Sequence, residues 1–159
     1  MAPLKIGVLT SSDTRTEESD TSGKALMALS GEHGWSVAAY RIVPDERTAI
    51  REALLQMADE AGCDVIFTTG GTGLSPRDVV PEVTLEVSDR EVPGIGEKIR
   101  AESLKITNRA MISRGTAGQR GTTLIINLPG SEKAVRESFG FVEGVLEHAA
   151  EMMAGGGHG

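Results

Sequence analysis

Glycines and carboxylates suited to a phosphate compound stand together in TTGGTGLSPRDVVPE, residues 68–82. The glycines at 70, 71 and 73 have no side chains, so their backbone N–H groups can approach an anion closely and form a phosphate-binding nest. Asp78 follows the glycines in this segment, and Asp45 stands in a separate PDE sequence. Two carboxylates beside a polyphosphate suit Mg²⁺, which shares its oxygen ligands between protein and phosphate. The sequence therefore predicts a site for a magnesium-bound phosphate compound.

Each of these two aspartates also has a purely structural interpretation. Asp45 stands just before a predicted helix, where an aspartate commonly caps the N-terminus. Asp78 could instead pair with the neighbouring Arg77 or act as a cap. Glu46 and Glu82 are interpreted as first-turn acids that complement a helix dipole. The residue types alone leave both interpretations of each aspartate open.

Other well-known chemical motifs do not fit the chain. The dinucleotide-binding glycine pattern fails because Pro76 occupies its third position, and no Lys-Ser/Thr pair follows the glycines as in a Walker A loop. His33, His148 and His158 are scattered and pair with no cysteine, which argues against a zinc site. The single cysteine, Cys63, excludes an internal disulfide framework.

Apolar runs alternate with helical patterns along the chain. Continuous apolar runs predict strands over 4–9, 36–43, 64–69 and 122–128. Helical spacing predicts helices over 22–33, 46–61, 81–88 and 94–107, with a last helix from 131 onward. Buried strands that alternate with helices are typical of a parallel sheet covered on both faces. We therefore predict an α/β fold, a three-layer αβα sandwich with a mostly parallel sheet.

Polar residues follow each predicted strand, at 10–13, 44–46, 70–78 and 129–131. Ligands of such folds bind outside the carboxyl ends of the strands, so these four segments are expected to converge on one site. Asp13, in the first segment, could hold a ligand hydroxyl or close a turn. The segment 107–121 fits neither helix nor sheet well and is predicted to be a functional loop.

The overall composition limits the classes of partner. The 159 residues carry a net charge of −7, and only 3% are aromatic, which argues against nucleic acid. No apolar run approaches the roughly 18 residues of a membrane span, and the start lacks a signal-peptide layout, so a cytoplasmic protein is expected. One domain over 1–154 is predicted, followed by a flexible glycine-rich tail at 155–159.

Six motifs together resemble the MogA/MoaB family of molybdenum-cofactor biosynthesis, to which the gephyrin G-domains are related. They are TTGGTGLSPRDVVPE, IVPDE, SDTRTEESDTSG, DREVPGIGEKIR, SRGTAGQRGTTLIINLPGS and KAVRE, and they span nearly the whole chain. The resemblance implies a three-layer α/β domain that is usually a homotrimer. It also implies an enzyme that joins molybdopterin to AMP, using ATP and Mg²⁺ and releasing pyrophosphate. A downstream metal-insertion protein is then an expected partner.

The resemblance also implies roles for individual residues. Asp45 and Asp78 correspond to aspartates implicated in catalysis and Mg²⁺ binding. Arg77, Arg114 and Arg120 are candidates to neutralise phosphate charge, and ordinary surface charge is the alternative. The residues implied to bind pterin or nucleotide are Thr10, Ser11, Ser12, Asp13, Ser22, Gly23, Gly70, Gly71, Thr72, Gly73, Ser113, Gly118, Pro129, Gly130 and Ser131.

A second functional hypothesis is a noncatalytic protein that binds the pterin or acts as a scaffold. The segment TEESDTSG resembles MoaB members, some of which bind pterin without demonstrated turnover. In noncatalytic relatives one of the two aspartates is typically replaced. Because this chain keeps both Asp45 and Asp78, the enzyme is the favoured hypothesis.

Overall fold

A six-stranded sheet forms the centre of the computed structural model, which describes residues 2–156. The strands are β1 (Lys5–Ser11), β2 (Ser36–Val43), β3 (Val65–Thr69), β4 (Arg90–Glu91), β5 (Ala117–Arg120) and β6 (Thr123–Leu128). Their order across the sheet is β2-β1-β3-β6-β5-β4. The four strands β2, β1, β3 and β6 run parallel, whereas β5 and β4 complete one edge in antiparallel fashion. The predicted α/β fold with a mostly parallel sheet is confirmed.

Helices connect the parallel strands. They are α1 (Thr21–Glu32), α2 (Arg47–Leu55), α3 (Val80–Val87), α4 (Pro93–Leu104), α5 (Glu132–Val142) and α6 (Leu146–Met153). Helix α2 continues as a π-helical turn over Gln56–Glu60, and the last predicted helix is divided into α5 and α6 by a 3₁₀ turn, Glu143–Val145. Gly144 lies in that turn, and glycine is a poor helix former.

Two apolar cores cover the two faces of the sheet. Phe67 of β3 packs with Leu26 of α1 and Phe139 of α5 on one face. The next residue toward the N-terminus, Ile66, packs with Ile50 of α2 on the other face. Successive residues of a strand point to opposite faces, so a strand buried on both sides must be apolar throughout. This explains why continuous apolar runs predicted the strands.

The segment 107–121 is more regular than predicted. It contains a 3₁₀ helix, Asn108–Ile112, and strand β5, which forms a hairpin with β6 around Gly121. The φ of Gly121 is +56°, a conformation that glycine adopts readily. The prediction of a loop without regular structure was therefore wrong for much of this segment, because pairing with β6 imposes a strand on the sequence AGQR.

Two further expectations concern the glycine-rich tail and the absence of a membrane span. In the predicted tail, Gly155 N donates to Met152 O and Gly156 N donates to Glu151 O, so these two glycines close the end of α6. The remainder of the predicted tail, 157–159, lies outside the described residues. Within residues 2–156, none of the helices has the length and apolar character needed to span a membrane.

Candidate functional site

The four polar segments meet at the carboxyl edge of the parallel strands. Ser12 N donates to Val43 O at 2.9 Å, which ties the segment after β1 to the end of β2. Thr69 Oγ1 donates to Pro129 O at 2.6 Å, which ties the end of β3 to the turn after β6. A Cβ at Gly130 would lie 3.5 Å from Gly70 Cα. The structure therefore brings these segments together, as the parallel topology predicted.

The glycine loop at 70–73 has a backbone that other residues would not tolerate. The φ values of Gly70 and Gly71 are +91° and +71°. A Cβ would lie 2.5 Å from Ser11 O at the first position and 2.6 Å from Val80 Cγ2 at the second. Within the described residues, the backbone N–H groups of 71, 72 and 73 donate to no protein acceptor. These three N–H groups are therefore available to an anion, as a phosphate-binding nest requires.

Asp45 is held by β1 rather than by helix α2. Ser11 Oγ donates to Asp45 Oδ1 at 2.5 Å, and Asp45 N donates to Asp13 Oδ1 at 2.9 Å. The N-cap of α2 is Glu46, whose side chain makes no capping hydrogen bond. The interpretation of Asp45 as the helix cap was therefore wrong, and its carboxylate is fixed toward the end of the sheet.

Asp78 is fixed within its own loop. Its Oδ2 accepts from Ser75 N at 3.0 Å, and a Cβ built at Gly73 would lie 2.9 Å from the same oxygen. The N-cap of α3 is Val79, so Asp78 does not cap this helix. In residues 2–156 its carboxylate also makes no ion pair with Arg77, so both structural alternatives for Asp78 were wrong.

Arg77 pairs instead with Asp13, across the edge of the sheet. Its Nε donates to Asp13 Oδ2 at 3.0 Å and its Nη2 donates to Asp13 Oδ1 at 2.8 Å. The hydrogen bond from Arg77, together with that from Asp45 N, holds the pKa of Asp13 below its usual value. Asp13 therefore links the segments after β1, β2 and β3.

Arg114 is a clamp on the glycine loop. Its Nε donates to Gly73 O and its Nη2 to Asp78 O, both at 2.8 Å, while its Nη1 donates to Glu82. Its backbone N donates to Thr72 O. Burial alone would raise the pKa of Glu82, but the hydrogen bond from Arg114 and the helix backbone hold that pKa below its usual value. Each guanidinium nitrogen is thus bonded within the protein, so Arg114 positions the loop and Asp78.

Gly118 and Arg120 do not lie at this edge, contrary to what the resemblance implied. Strand β5 runs antiparallel to β6 and so leads away from the carboxyl ends, with Arg120 paired to Thr123 at the start of β6. A Cβ at Gly118 would lie 2.1 Å from Ser88 Oγ, so this glycine permits close packing of β5. Arg120 binds both carboxylate oxygens of Asp59 at the other end of the sheet. Both assignments are therefore corrected to structural roles.

A buried carboxylate that the sequence analysis did not single out organises the base of the site. Asp20 is fully buried and accepts from Thr10 Oγ1 at 2.7 Å, from Gly23 N at 3.0 Å and from Tyr40 OH at 2.5 Å. Thr10 and Ser22 are also fully buried, so these two predicted site residues lie beneath the surface of the site and support it by packing. Asp20 is the N-cap of α1, and an aspartate before the helical pattern was the signal that could have identified it.

Arg15 joins this base to the turn after β6. Its Nη2 donates to Gly130 O at 2.8 Å, and its Nη1 donates to Ser22 Oγ and lies 3.7 Å from Asp20 Oδ1. Ser12 Oγ accepts from Arg15 N at 3.0 Å, so Ser12 closes the turn that carries this arginine. No sequence pattern singled out Arg15, because the contact that ties it to the turn after β6, with Gly130 O, is made across 115 positions of the chain.

A cavity of about 480 Å³ adjoins the glycine loop. It is lined by the predicted site residues Thr72, Gly73, Ser113, Pro129, Gly130 and Ser131, and by Arg100, Arg109 and Lys133. The described lining also includes apolar side chains of α4 and the 3₁₀ helix but neither Asp45 nor Asp78. Ser131 caps α5 by accepting from Ala134 N, so the positive end of this helix dipole lies beside the cavity. Basic side chains and a helix N-terminus make the cavity suitable for an anionic compound with an apolar part.

The carboxylates fit a magnesium ion that arrives with a phosphate ligand. Asp45 and Asp78 each have one oxygen engaged by a protein donor, which leaves the second oxygen for a metal. In the described part of the chain, no group of three or more Asp, Glu, His or Cys residues is arranged to hold a metal ion. Mg²⁺ is commonly bound by one or two carboxylates plus phosphate oxygens and water, and this donor set matches that pattern.

Comparison with known proteins identifies the relatives of the chain. Residues 7–148 match the family model described as "Probable molybdopterin binding domain". The molybdenum cofactor synthesis protein cinnamon of Drosophila melanogaster is 45% identical over 96% of this chain, which spans 26% of that longer protein. A molybdopterin adenylyltransferase of Helicobacter pylori is 40% identical over 98% of this chain and 90% of its own length.

A solved structure supports the same relationship. The molybdopterin biosynthesis enzyme MoaB of Thermus thermophilus superposes with a TM-score of 0.87 at 46% identity, covering 96% of this chain and 97% of its own. The family match covers most of the chain, and the relatives are similar along nearly all of it. The chain therefore belongs to the molybdenum-cofactor biosynthesis family that includes the MogA and MoaB proteins, as its motifs predicted.

Proposed function

We propose that the chain is a molybdopterin adenylyltransferase, which transfers AMP from Mg-ATP to the phosphate of molybdopterin and releases pyrophosphate. The observation that carries this proposal is the glycine loop at 70–73, where three successive N–H groups have no acceptor among the described residues and Asp78 stands alongside. The name of the Helicobacter pylori relative supports the same activity.

The two substrates are assigned to the two sides of the glycine loop. The nucleotide phosphates lie against the loop N–H groups, near Asp45 and Asp78. Molybdopterin lies in the 480 Å³ cavity, with its phosphate near Lys133 and the N-terminus of α5. Thr72 and Gly73 line the cavity and belong to the loop, so this arrangement brings the two phosphates together.

The residues of the chain act by positioning and by electrostatics. Molybdopterin carries a phosphate monoester, which is itself the nucleophile, so no serine or cysteine nucleophile is needed. Ser11 and the Ser75 N–H hold the two aspartates, and Arg114 fixes the loop between the substrates. Mg²⁺, held by Asp45, Asp78 and phosphate oxygens, would offset the charge that develops on the α-phosphate and the departing pyrophosphate. Holding two reactants in a productive geometry supplies much of the rate enhancement.

Release of pyrophosphate tests this proposal directly. The purified protein, incubated with molybdopterin and Mg-ATP, is expected to form adenylylated molybdopterin with an equal amount of pyrophosphate. Asp78→Asn keeps the acceptor for Ser75 N but removes the charge, and we expect turnover to fall at least about 100-fold, as for the loss of a key electrostatic group. Asp59→Asn, at the opposite end of the sheet, is the matched control. Equal turnover by Asp78→Asn and the wild type would show that the catalytic assignment is wrong.

The alternative function is pterin binding without catalysis. The 480 Å³ cavity favours it, because the described lining includes neither Asp45 nor Asp78 and so could bind a pterin without them. This alternative predicts saturable molybdopterin binding with no pyrophosphate at any concentration of Mg-ATP. Binding that Asp78→Asn leaves intact while turnover disappears would support the enzyme instead.

Assembly and cellular context remain proposals as well. We propose a homotrimer, and the exposed apolar side chains Leu104, Ile106, Met111 and Ile112 are the surface that supports contact between copies. Sedimentation equilibrium would test the trimer. The cytoplasmic location and the downstream metal-insertion partner implied by the sequence stay predictions.

A further inference from the structure

Arg77 differs from the other arginines of the carboxyl edge in what its guanidinium contacts. Arg15 and Arg114 each donate to backbone carbonyl oxygens at 2.8 Å, so their positions are tied to the main chain. Within residues 2–156, the guanidinium of Arg77 donates to the carboxylate of Asp13 alone. A single side-chain partner leaves Arg77 able to change position without disturbing the backbone.

The ion pair between Arg77 and Asp13 is exposed to water. The side chain of Arg77 is 52% exposed and that of Asp13 is 39% exposed. Exposed ion pairs are weakly held, because water solvates both charges and each long side chain loses conformational freedom on pairing. An incoming anion with more charge than a carboxylate can therefore compete with Asp13 for this guanidinium.

Arg77 also stands where that competition would take place. It directly precedes Asp78 at the end of the glycine-loop segment. The hydrogen bonds to Asp13, and after them the nearby carboxylates of Glu46 and Asp45, raise the pKa of Arg77. Arg77 is thus a cation among carboxylates, in the same segment as the N–H groups of 71, 72 and 73, which have no acceptor within residues 2–156.

We propose that Arg77 is a phosphate-binding residue that passes from Asp13 to the phosphate oxygens of the nucleotide when Mg-ATP binds the glycine loop. This inference rests on the proposed function, because it requires a nucleotide at the loop. A guanidinium binds phosphate through two parallel hydrogen bonds, the same geometry that it uses with Asp13 here. Asp13 is then a competitor that holds the arginine while the nucleotide is absent.

The exchange predicts effects of opposite sign at the two residues. Arg77→Gln removes the cation, so the affinity for Mg-ATP, measured by isothermal titration calorimetry, should fall at least about tenfold. Asp13→Asn removes the competing charge but keeps an oxygen that accepts from Asp45 N, so the affinity should rise about two- to fivefold. In the double variant Asp13→Asn should have no effect, because there is no arginine left to release.

A matched ion pair at the other end of the sheet provides the control. Arg120 and Asp59 form a bond of the same two-point geometry, with distances of 2.9 and 2.8 Å. Arg120→Gln and Asp59→Asn should therefore leave the affinity for Mg-ATP unchanged. Urea unfolding of every variant separates a loss of binding from a loss of folded protein.

The alternative role of the pair is a latch that merely holds two loops together. A latch predicts that Asp13→Asn and Arg77→Gln weaken binding alike, and this result would overturn the exchange while leaving the proposed function in place. Unchanged affinity in Arg77→Gln would overturn it as well. If the wild type binds no Mg-ATP, both the exchange and the proposed function are wrong.

Discussion

Replacement of Arg114 by glutamine should reduce the rate of turnover much more than the free energy of unfolding alone would lead one to expect. Arg114 donates through Nε to Gly73 O, through Nη2 to Asp78 O and through Nη1 to Glu82. Glutamine is shorter and can replace at most one of these three contacts. The substitution therefore frees the glycine loop and leaves the carboxylate of Glu82 without its cation.

The size of each effect follows from these contacts. A hydrogen bond contributes a net 0.5–1.5 kcal/mol, and the side chain of Arg114 is partly exposed, so we expect a loss of about 1–3 kcal/mol in the free energy of unfolding. The effect on turnover should be larger than this loss suggests, because Asp78 and the loop N–H groups lose their fixed positions. A displacement of about 1 Å in a catalytic group can cost roughly 100-fold in rate.

Arg120→Gln is the control that makes the experiment decisive. Arg120 also uses all three guanidinium nitrogens, for the two oxygens of Asp59 and for Val87 O, but it lies at the opposite end of the sheet. Urea unfolding should show similar destabilisation of the two variants. Pyrophosphate release, measured at a temperature where both are folded, should fall about 100-fold in Arg114→Gln and stay near the wild-type rate in Arg120→Gln. Equal rates in the two variants would refute the positioning role of Arg114.

Three further predictions concern stability and reactivity. Gly71→Ala should lower the free energy of unfolding by about 1–3 kcal/mol in urea, because φ is +71° there. In the same assay Gly140→Ala should raise it by up to about 1 kcal/mol, because alanine is the better helix former and its Cβ would meet no atom within 4 Å on α5. The hydrogen bond from Arg120 lowers the pKa of Asp59, so their pairing stabilises the fold at neutral pH and is lost as the pH falls through that lowered pKa. The difference in the free energy of unfolding between the wild type and Arg120→Gln should therefore become smaller in acid. Burial raises the pKa of Cys63 to about 11, so this thiol should react with a colorimetric thiol reagent at pH 8 in urea but not in the native protein.

The predictable part of the fold is the part in which local sequence and burial agree. The strands from Val65 to Thr69 and from Thr123 to Leu128 are buried on both faces, so their apolar runs identified them to within about one residue. Pro81 marked the first turn of α3. Strand β5 has the sequence AGQR, which carries no local strand preference, and it exists because β6 offers it an edge.

The candidate site was predictable in its location but not in its contacts. A parallel sheet places the segments after its strands at one edge, so the meeting of the segments that hold Asp45 and Asp78 followed from topology. The hydrogen-bond partner of each side chain, by contrast, did not follow from the topology. Arg77 is next to Asp78 in sequence, yet it pairs with Asp13, 64 positions away. Such pairs depend on side-chain geometry after folding, which residue spacing does not contain.

If the proposed function holds, the acidic side chains at the carboxyl edge of the sheet determine which form of the nucleotide can bind there. Asp45 and Asp78 would repel an uncomplexed triphosphate, since the guanidinium of Arg114 is already bonded to the protein and that of Arg77 is paired with Asp13. The loop N–H groups attract phosphate but carry no net charge. Under the proposed function, a magnesium ion that arrives with the nucleotide would turn this repulsion into attraction, since the two carboxylates would become its ligands. The same two carboxylates would therefore disfavour the uncomplexed anion and select its magnesium complex, and in this way a chain with a net charge of −7 could bring two phosphate compounds together.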